Sequence, residues 1–377
     1  MIYSNFKDKS ISALGLGGMR FPQNEDGTVN ISALRELVDF AIENGINYFD
    51  TAWGYHGGES ETVLGEVLSA YPRESYFLAD KFPGYDLAYI DMVKEIFPKQ
   101  LEKCRTDYFD FYLFHNVSEV NIEQYLDPAR GIFDYLVERK REGKIRHLGF
   151  SGHGSLQTLE RFLDAYGEEM EFGMIQLNWL DYTFQNAREK VKLFSSYGIP
   201  VWAMEPVRGG KLLHLDEKHK ERLAALAPER TLAEWAFRFV QSIPEVKLTL
   251  SGMSNLEQLK ENIATFSEKK PLNDKEMQTI LDIGREMTSV GTHPCTSCRY
   301  CTEYCPRGLN IPWLIELYNT QIYSGRNFER STGVEVVSEN KRPTACIGCR
   351  ACEAVCPQNI KISEVMAEFA EKIAKKA

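Results

Sequence analysis

The segment 31–50, ISALRELVDFAIENGINYFD, predicts one complete helix-and-strand unit of an α/β fold. In its first part, Ser32–Glu43, apolar residues recur at helical spacing on one face: Leu34, Leu37, Val38 and Ala41. Such a stripe is typical of a helix that packs against a sheet, and Gly45 is the expected stop signal. The short run Asn47–Phe49 then predicts a buried strand.

The same alternation of strand-like runs and amphipathic helical stretches continues from about residue 14 to residue 265. Eight strands are predicted in this region, at Leu14–Leu16, Asn47–Phe49, Tyr76–Ala79, Phe109–Phe114, His147–Phe150, Met174–Leu177, Val201–Met204 and Val246–Leu250. Eight strand–helix units in about 250 residues favour a closed (β/α)8, or TIM, barrel. An open doubly wound sheet is the alternative, but it needs a Gly-x-Gly-x-x-Gly turn leading into a helix. The glycine-rich run Leu14–Gly18 lacks that spacing.

Two cysteine ladders follow near the C-terminus, each with the spacing C-x-x-C-x-x-C-x-x-x-C and each followed by a proline. The first ladder is Cys295, Cys298, Cys301 and Cys305, and the second is Cys346, Cys349, Cys352 and Cys356. Four thiolates at this spacing before a proline are the bacterial ferredoxin pattern for a [4Fe–4S] cluster. A structural zinc site, which also takes thiolates, usually has two separated pairs. The ladders therefore predict two [4Fe–4S] clusters and single-electron transfer, with a purely structural role for the clusters as the alternative.

In two-cluster ferredoxins the fourth cysteine of each run binds the other cluster. That rule assigns Cys356 to the cluster of the first ladder and Cys305 to the cluster of the second. The ladders are 40 residues apart, and the gap contains a helix-like run, Ile311–Tyr323. We therefore expect a mainly helical ferredoxin-like domain at 291–377, after a barrel at 1–290.

Composition restricts the classes of function. The net charge of −10 argues against a general nucleic-acid binder. No stretch reaches the roughly 20 apolar residues that a membrane-spanning helix needs. Eight of the nine cysteines lie in the ladders, where they serve as metal ligands rather than disulfide partners, which favours a reducing cytoplasm. The ninth, Cys104, is expected to be a buried, inert thiol.

Four polar residues follow three successive strands of the predicted barrel. They are Asp50, Tyr55, Lys81 and His115. Active sites of such barrels lie at the carboxyl ends of the strands, so the four side chains should converge. A lysine ammonium stabilises a nearby tyrosinate and lowers the tyrosine pKa, a carboxylate holds the lysine, and a histidine can orient a carbonyl oxygen. Each residue alone also fits a structural role, as a helix cap, rim aromatic, solvated charge or core-edge histidine.

These residues closely resemble the catalytic tetrad of the aldo-keto reductase family. The resemblance rests on Asp50-Thr51-Ala52 with Tyr55, Ala79-Asp80-Lys81 and Leu113-Phe114-His115-Asn116, and it covers about residues 1–290. It implies that Tyr55 is the proton donor, that Lys81 and Asp50 tune it, and that His115 orients the substrate. With the ladders, the chain resembles a bacterial and archaeal branch of that family fused to a ferredoxin-type domain.

The resemblance also implies a site for NADP(H) or NAD(H). The matching positions are Gly18, Met19, Ser151, Gln176, Met204, Gly209, Gly210, Gly252, Ser254, Gln258 and Asn262. Three departures stand out: Met204 replaces the usual stacking aromatic residue, Glu205 replaces a small polar residue, and Gly252–Gln258 lacks basic residues. The nearest cation to that last segment is Lys260.

We therefore expect an oxidoreductase that reduces a carbonyl or conjugated carbonyl in a small-molecule substrate, with electrons from NAD(P)H, the clusters or both. One alternative is a ferredoxin-driven, nicotinamide-independent ene-type reductase, and another is a redox-sensing regulatory protein that binds nucleotide. FMN stays open as a further cofactor, and a ferredoxin or another redox protein as a partner. Four aromatic residues near the mouth suggest a partly apolar substrate or simple packing: Trp53, Trp179, Tyr182 and Phe184.

Overall fold

The computed structural model describes residues 1–289, 291–295, 300–324, 334, 337–356 and 358–374. The predicted ligand Cys298 and the ladder proline Pro357 lie outside the described residues. Strands are β1 Tyr3–Phe6, β2 Lys9–Ser12, β3 Leu14–Gly17, β4 Tyr48–Asp50, β5 Phe77–Phe82, β6 Phe109–Val117, β7 Ile145–Gly152, β8 Phe172–Gln176, β9 Val201–Met204 and β10 Val246–Ser251.

The helices are α1 Ile31–Glu43, α2 Ser60–Leu68, α3 Val93–Lys103, α4 Ile122–Tyr125, α5 Ile132–Arg141, α6 Leu156–Tyr166, α7 Asp181–Phe184, α8 Ala187–Ser196, α9 Glu217–Ala224, α10 Leu232–Gln241, α11 Leu256–Thr265, α12 Asp274–Thr288, α13 Tyr300–Glu303, α14 Ile311–Ser324 and α15 Ile362–Ala374. None of these described helices is long and apolar enough to cross a membrane.

Eight parallel strands close into a barrel in the order β10-β3-β4-β5-β6-β7-β8-β9. The predicted barrel is therefore confirmed, and the open doubly wound sheet is wrong. Several strands extend beyond their predicted ends. As a result Asp50, Lys81 and His115 are the last or near-last residues of β4, β5 and β6 rather than residues of the following loops.

Side chains of the barrel strands alternate between two hydrophobic cores, because successive residues of a strand point to opposite faces. Tyr48, Ala79, Phe111 and Leu113 belong to the core inside the barrel. Their neighbours Phe49, Leu78, Tyr112 and Phe114 belong to the core between the barrel and the surrounding helices. This alternation determines which polar residues enter the barrel interior further along the same strands.

An antiparallel hairpin, β1–β2, precedes the barrel and was not predicted from the sequence. Its residue Phe6 is 5% exposed, and its ring lies 5.1 Å from that of Trp202, 5.0 Å from that of His147 and 5.6 Å from that of Phe111. These partners are at or near the amino-terminal ends of their strands. The hairpin therefore closes the end of the barrel opposite the predicted active site.

Residues after 291 form a separate hydrophobic core, here called the cysteine-region core. Leu309, Leu314 and Tyr318 pack there with residues of α15, together with the buried thiols of Cys301 and Cys352. The described part of this region contains helices and turns but no strand, which agrees with the mainly helical module that the sequence predicted. Its longest helix, α14, is the predicted helix between the two ladders.

Candidate active site

Strand alternation brings three of the predicted catalytic residues into the barrel interior. Asp50 lies two residues after the inward-facing Tyr48 on β4, and Lys81 lies two residues after the inward-facing Ala79 on β5. Residues two apart on a strand share a face, so both side chains point into the barrel. His115 continues the inward set of β6. Because Asp50 pairs with Ala79 and Lys81 pairs with Leu113 in the barrel register, the three residues lie at one end of adjacent strands.

A buried ion pair forms the floor of the site. The Lys81 Nζ atom donates to Asp50 Oδ1 at 2.6 Å and to the Thr51 carbonyl oxygen at 2.6 Å, and both charged side chains are 1% exposed. Burial is the largest single influence and lowers the pKa of Lys81, but Asp50, Tyr55 and Asp80 together outweigh it and the net pKa is raised. Burial raises the pKa of Asp50, with Lys81 acting in the opposite direction. We infer that the pair is held as an ammonium and a carboxylate.

The Tyr55 ring lies above this pair, on the turn Tyr55–Gly58 that follows β4. The Lys81 Nζ atom is 5.0 Å from the ring centroid. Burial raises the pKa of Tyr55, and the Lys81 charge acts to lower it. Lys81 therefore exerts the predicted effect, but burial is the larger contribution, so the net pKa lies above its ordinary value and Tyr55 carries its proton at neutral pH.

His115 faces Tyr55 across the site, with the two ring centroids 6.1 Å apart. Burial lowers the pKa of His115 well below its ordinary value, and the Lys81 charge adds to this effect. The imidazole is therefore neutral. Its Nδ1 atom is buried and makes no hydrogen bond to any described residue, so no described residue fixes the ring through this nitrogen.

Two further residues at the site were not predicted from the sequence. The Tyr85 ring packs edge-on against the His115 ring at 5.0 Å, and a Cβ atom at Gly54 would lie 2.2 Å from the Tyr85 hydroxyl oxygen. His153, just after β7, also faces the cavity. Burial and then the Lys190 charge lower its pKa to about 4, so it too is neutral. The only signal for these residues is proximity to strand ends, which many other residues share.

One cavity of about 560 Å³ contains the tetrad and extends across the carboxyl ends of the strands. All four predicted catalytic residues line it, as do ten predicted cofactor positions: Met19, Ser151, Gln176, Met204, Gly209, Gly210, Gly252, Ser254, Gln258 and Asn262. Gly18 does not. A Cβ atom there would lie 2.7 Å from the Asp50 carbonyl oxygen and 2.8 Å from Ser60 Oγ, so this glycine permits close packing beneath the site.

Polar groups beside the tetrad are already oriented. The Asn116 N–H donates to Ser151 Oγ at 2.8 Å, which leaves the hydroxyl proton of Ser151 for another acceptor. Gln176 Nε2 donates to Asp181 Oδ2 at 2.6 Å. Asp181 in turn accepts from the Arg208 Nε–H at 3.0 Å in a second buried ion pair. Ser151 and Gln176 are thus fixed at the edge of the cavity by partners behind them.

The cation at the far end of the cavity is Arg20, not Lys260. The Arg20 side chain lies over Gly252, where a Cβ atom would be 3.0 Å from Arg20 Cβ, and its Nη2 atom is 3.7 Å from Glu205 Oε1. Ser254 Oγ donates to the Arg20 carbonyl oxygen at 2.9 Å. Lys260 Nζ lies 5.6 Å from the Phe40 ring centroid and does not line the cavity.

None of the four aromatic residues suggested for the mouth lines this cavity. Trp179 is 1% exposed in the barrel's outer core. Trp53 packs on Tyr89 and under Lys103 Nζ, while Tyr182 packs on Phe239. The packing interpretation was therefore correct, and the aromatic wall comes from other residues, among them Tyr85 and Trp313.

Four cysteines of the two ladders meet at a second, small cavity. Cys346, Cys349 and Cys352 of the second ladder line it with Cys305 of the first. The Leu309 N–H donates to Cys305 Sγ at 3.4 Å. Cys295, Cys301 and Cys356 pack against the cysteine-region core. No three His, Cys, Asp or Glu side chains of the described residues form a site for a single metal ion.

Comparisons with known proteins agree with the two-part organisation. The aldo/keto reductase family matches residues 13–285, and a 4Fe-4S dicluster domain matches residues 294–360. An uncharacterized oxidoreductase of Bacillus subtilis (strain 168), YqkF, is 27% identical over 303 residues, which cover 72% of this chain and 92% of that protein. The NADH-specific methylglyoxal reductase of Escherichia coli (strain K12) is 25% identical over 309 residues, which cover 69% of this chain and 91% of that protein.

Among solved structures, aldo-keto reductase AKR11C1 from Bacillus halodurans in its holo form has a TM-score of 0.60 at 26% identity. The match covers 75% of this chain and 95% of that one. Because the family match spans most of the chain, this protein belongs to the aldo/keto reductase family. It is an aldo-keto reductase-type oxidoreductase that carries a C-terminal 4Fe-4S domain.

Proposed function

We propose that residues 1–290 reduce a carbonyl or conjugated carbonyl substrate and that residues 291–377 carry electrons to or from that reaction. The observation that carries the proposal is the convergence of Asp50, Tyr55, Lys81 and His115 on one cavity. The carbonyl oxygen of a substrate placed between Tyr55 and His115 can receive hydrogen bonds from both.

In this mechanism Tyr55 donates its phenolic proton to the carbonyl oxygen as negative charge develops there. The neutral His115 imidazole donates a hydrogen bond to the same oxygen and so orients the carbonyl group. Lys81 stabilises the tyrosinate that results, because its ammonium lies next to the ring, and Asp50 keeps that ammonium in place. A proton from solvent then restores the phenol. The whole reaction adds two electrons and two protons across the C=O bond.

The residues of the cavity fit a nicotinamide cofactor, which would supply a hydride to the carbonyl carbon. Ser151 has an O–H proton available for the carboxamide oxygen, and Gln176 is fixed beside it. Arg20 offers the cation that phosphate groups require. The name of the Escherichia coli relative, an NADH-specific reductase, also supports this proposal. NADP(H) remains the alternative nucleotide.

We propose two [4Fe–4S] clusters with crossed ligands. Cys346, Cys349 and Cys352 would hold one cluster with Cys305, and this assignment is supported because these four residues line one cavity. The other cluster would take Cys295, Cys301 and Cys356, together with Cys298, which lies outside the described residues. Each cluster, when bound, supplies or accepts one electron at a time. Thiolate-ligated clusters also favour a reducing cytoplasm as the location.

The variant Tyr55→Phe tests the proton-donor role. General acid catalysis contributes about 10²–10⁴-fold, so we expect that loss in kcat/KM for carbonyl reduction, with iron content and nucleotide affinity unchanged. Tyr85→Phe is a matched control, because Tyr85 lies on the same cavity wall and keeps its ring contact with His115. Unchanged turnover by Tyr55→Phe across a panel of aldehydes, ketones and enones would contradict the proposal.

A second candidate function is a nicotinamide-independent ene-type reductase driven by the clusters. It is favoured by Met204 and Glu205 at the nicotinamide end and by Arg20 as the one basic side chain that the described residues supply at the nucleotide end of the cavity. Anaerobic titration with NADH and NADPH separates the two candidates. Either nucleotide should bind and bleach the cluster absorbance if nicotinamide is used, whereas neither should bind if the second candidate is correct.

We also propose an acidic one-electron carrier, such as a ferredoxin, as the redox partner. Around the second ladder, Cys349 is exposed, as are the apolar side chains of Tyr304 and Ile347 at 54% and 55%. Arg307 and Arg350 are exposed at the same cavity. We call these four residues the basic rim: Tyr304, Arg307, Ile347 and Arg350. Apolar contact surrounded by positive charge suits an acidic carrier.

A further inference from the structure

Helix α14 belongs to the cysteine region by sequence, yet it forms part of the wall of the barrel cavity. Its residues Trp313, Glu316, Leu317 and Thr320 all line that cavity. They occur at positions i, i+3, i+4 and i+7, which lie on one face of a helix. The neighbouring Leu314 and Tyr318 belong to the cysteine-region core. Trp313 and Leu317 also pack in that core, so α14 contributes the same side chains to the barrel cavity and to the cluster-carrying region.

Side-chain contacts hold this face of α14 over the barrel. Gln185, just after α7, donates from Nε2 to Thr320 Oγ1 at 3.2 Å, and Lys190 Nζ of α8 lies 3.9 Å from Glu316 Oε1 with both side chains largely buried. On the other side, Asn319 makes two hydrogen bonds with the backbone of His293, at 2.8 and 2.7 Å. Since His293 is two residues before Cys295, α14 joins the barrel mouth to the first ladder.

The groups at this end of the cavity are apolar, neutral or acidic, and the described residues offer no unpaired cation there. Trp313 and Leu317 are 6% and 9% exposed. The Glu316 carboxylate is paired with Lys190, and Glu119 accepts from the Ser155 N–H at 2.9 Å. His115 and His153 are neutral, as shown above. An anionic substrate would lose its hydration here without gaining a positive charge, which is unfavourable.

We propose that α14 is the substrate-binding wall of this enzyme and that it selects carbonyl compounds that carry no negative charge and have a flat, apolar group next to the carbonyl. The carbonyl oxygen lies between Tyr55 and His115, and the flat group packs against Trp313 and Leu317. This inference rests on the proposed carbonyl reduction. It adds that a helix of the electron-transfer region, rather than a barrel loop, determines which substrates are accepted.

The test compares three aldehydes: benzaldehyde, the similarly shaped but charged 4-carboxybenzaldehyde, and the small aliphatic butanal. The wild-type enzyme should favour benzaldehyde over 4-carboxybenzaldehyde. Trp313→Ala should raise KM for benzaldehyde about 10-fold or more, because apolar pocket contacts discriminate by at least that factor, and should change KM for butanal far less. Trp313→Phe, which keeps a flat ring, should restore most of the loss.

Tyr318→Phe is the control, because Tyr318 lies on the same helix but bonds to Glu368 at 2.6 Å in the cysteine region. It should leave all three KM values unchanged, and the iron content of every variant should equal that of the wild type. Dissociation constants measured in a Tyr55→Phe background report binding without turnover. Weaker benzaldehyde binding in Trp313→Ala would support the role of α14 as the substrate-binding wall even if no aldehyde is reduced. The absence of reduction would contradict only the proposed carbonyl reduction.

Equal affinity for benzaldehyde in the Tyr55→Phe protein with and without Trp313→Ala would contradict the proposed role of α14 as the substrate-binding wall. The same conclusion would follow if 4-carboxybenzaldehyde bound as well as benzaldehyde, because the absence of an unpaired positive charge among the described residues at this end predicts a clear preference.

Discussion

The chemistry of the site depends on how one buried lysine is balanced. Lys81 donates to Asp50 and Thr51 and lies beneath Tyr55. Burial alone would favour neutral Lys81, neutral Asp50 and neutral Tyr55. The ion pair keeps the first two charged, and the remaining positive field partly offsets the effect of burial on the Tyr55 pKa. Tyr55 is thus protonated at neutral pH, and Lys81 makes its anion less unfavourable than burial alone would.

The pH dependence of catalysis follows from that balance. Because the Tyr55 pKa is raised, kcat/KM for reduction should be flat through neutral pH and should fall only when the pH rises through this alkaline pKa. The reverse reaction, alcohol oxidation, needs tyrosinate and should rise with pH. Lys81→Met removes the field that lowers the Tyr55 pKa, so its oxidation profile should move to higher pH and its rates should fall about 10²-fold or more.

Steady-state profiles in both directions check this prediction. Lys94→Met, an exposed lysine on α3, is the control and should behave as the wild type. A Lys81→Met profile that moves to lower pH would contradict the assigned role of the ammonium. Removing Lys81 also leaves Asp50 buried without its partner, which costs about 3–5 kcal/mol, so the variant should be less stable as well as slower.

Residues of the tetrad were predictable because each is tied to a strand end, and strand order is visible in the sequence. Arg20 and Tyr85 were not, since their roles come from contacts across the cavity. Arg20 reaches Glu205 and Gly252, which are far away in the chain. No local pattern in hydrophobicity or spacing marks such a contact, so the sequence pointed to Lys260 instead.

At the scale of elements, the barrel strands were predictable and the hairpin β1–β2 was not. Each barrel strand is a buried apolar run, whereas Tyr3–Phe6 and Lys9–Ser12 contain mostly polar residues. The hairpin is stabilised by two side chains that are buried in the core inside the barrel, Phe6 and Ile11. Its short strands therefore carry little signal of their own.

Truncating Phe6 tests how much this closure contributes. Phe6→Ala should lower the free energy of unfolding by about 3 kcal/mol, because deleting a buried phenylalanine ring leaves a cavity. Urea titration followed by tryptophan fluorescence is suitable, since Trp202 contacts the Phe6 ring. Tyr3→Phe on the same strand removes one exposed hydrogen bond to the Gly45 carbonyl oxygen and should cost less than about 1 kcal/mol. Similar losses in the two variants would contradict the proposed closure.

The two ladders can be tested as separate elements. If the ligands cross, Cys305→Ala should remove a ligand from the cluster of the second ladder and Cys356→Ala from that of the first. Combining Cys305→Ala with Cys349→Ala should then affect one cluster and leave the other intact by iron content and electron paramagnetic resonance. Combining Cys305→Ala with Cys295→Ala should affect both. Uncrossed ligands would give the opposite pattern, because Cys305 and Cys295 would share one cluster.

At the scale of the whole molecule, α14 makes the two regions dependent on each other. The sequence predicted the barrel, the ladders and the helix between them, but it could not place that helix over the barrel mouth. The contacts concerned, such as Gln185 with Thr320, join residues 135 positions apart. Hydrophobic periodicity shows that a helix has a buried face, but it does not show which partner covers that face.

Cys349 of the second ladder is exposed, and the proposed entry of electrons at this surface can be tested. Replacing Arg307 and Arg350 together by Glu reverses the charge of the basic rim without touching a cysteine. We expect the second-order rate of cluster reduction by a reduced acidic ferredoxin to fall about 10-fold or more at low ionic strength, because opposite charges accelerate encounter. The difference should shrink as added salt screens the charges.

Stopped-flow measurement of cluster bleaching gives these rates directly. Arg35→Glu on α1, whose side chain is 53% exposed, is the matched control and should retain the wild-type rate. Reduction by a small cationic viologen should be no slower in the double variant, because lost positive charge cannot repel a cation. If the rate of cluster reduction by ferredoxin changes with neither the double substitution nor the salt concentration, electrons enter elsewhere. The nicotinamide end of the barrel cavity would then be the next entry point to test.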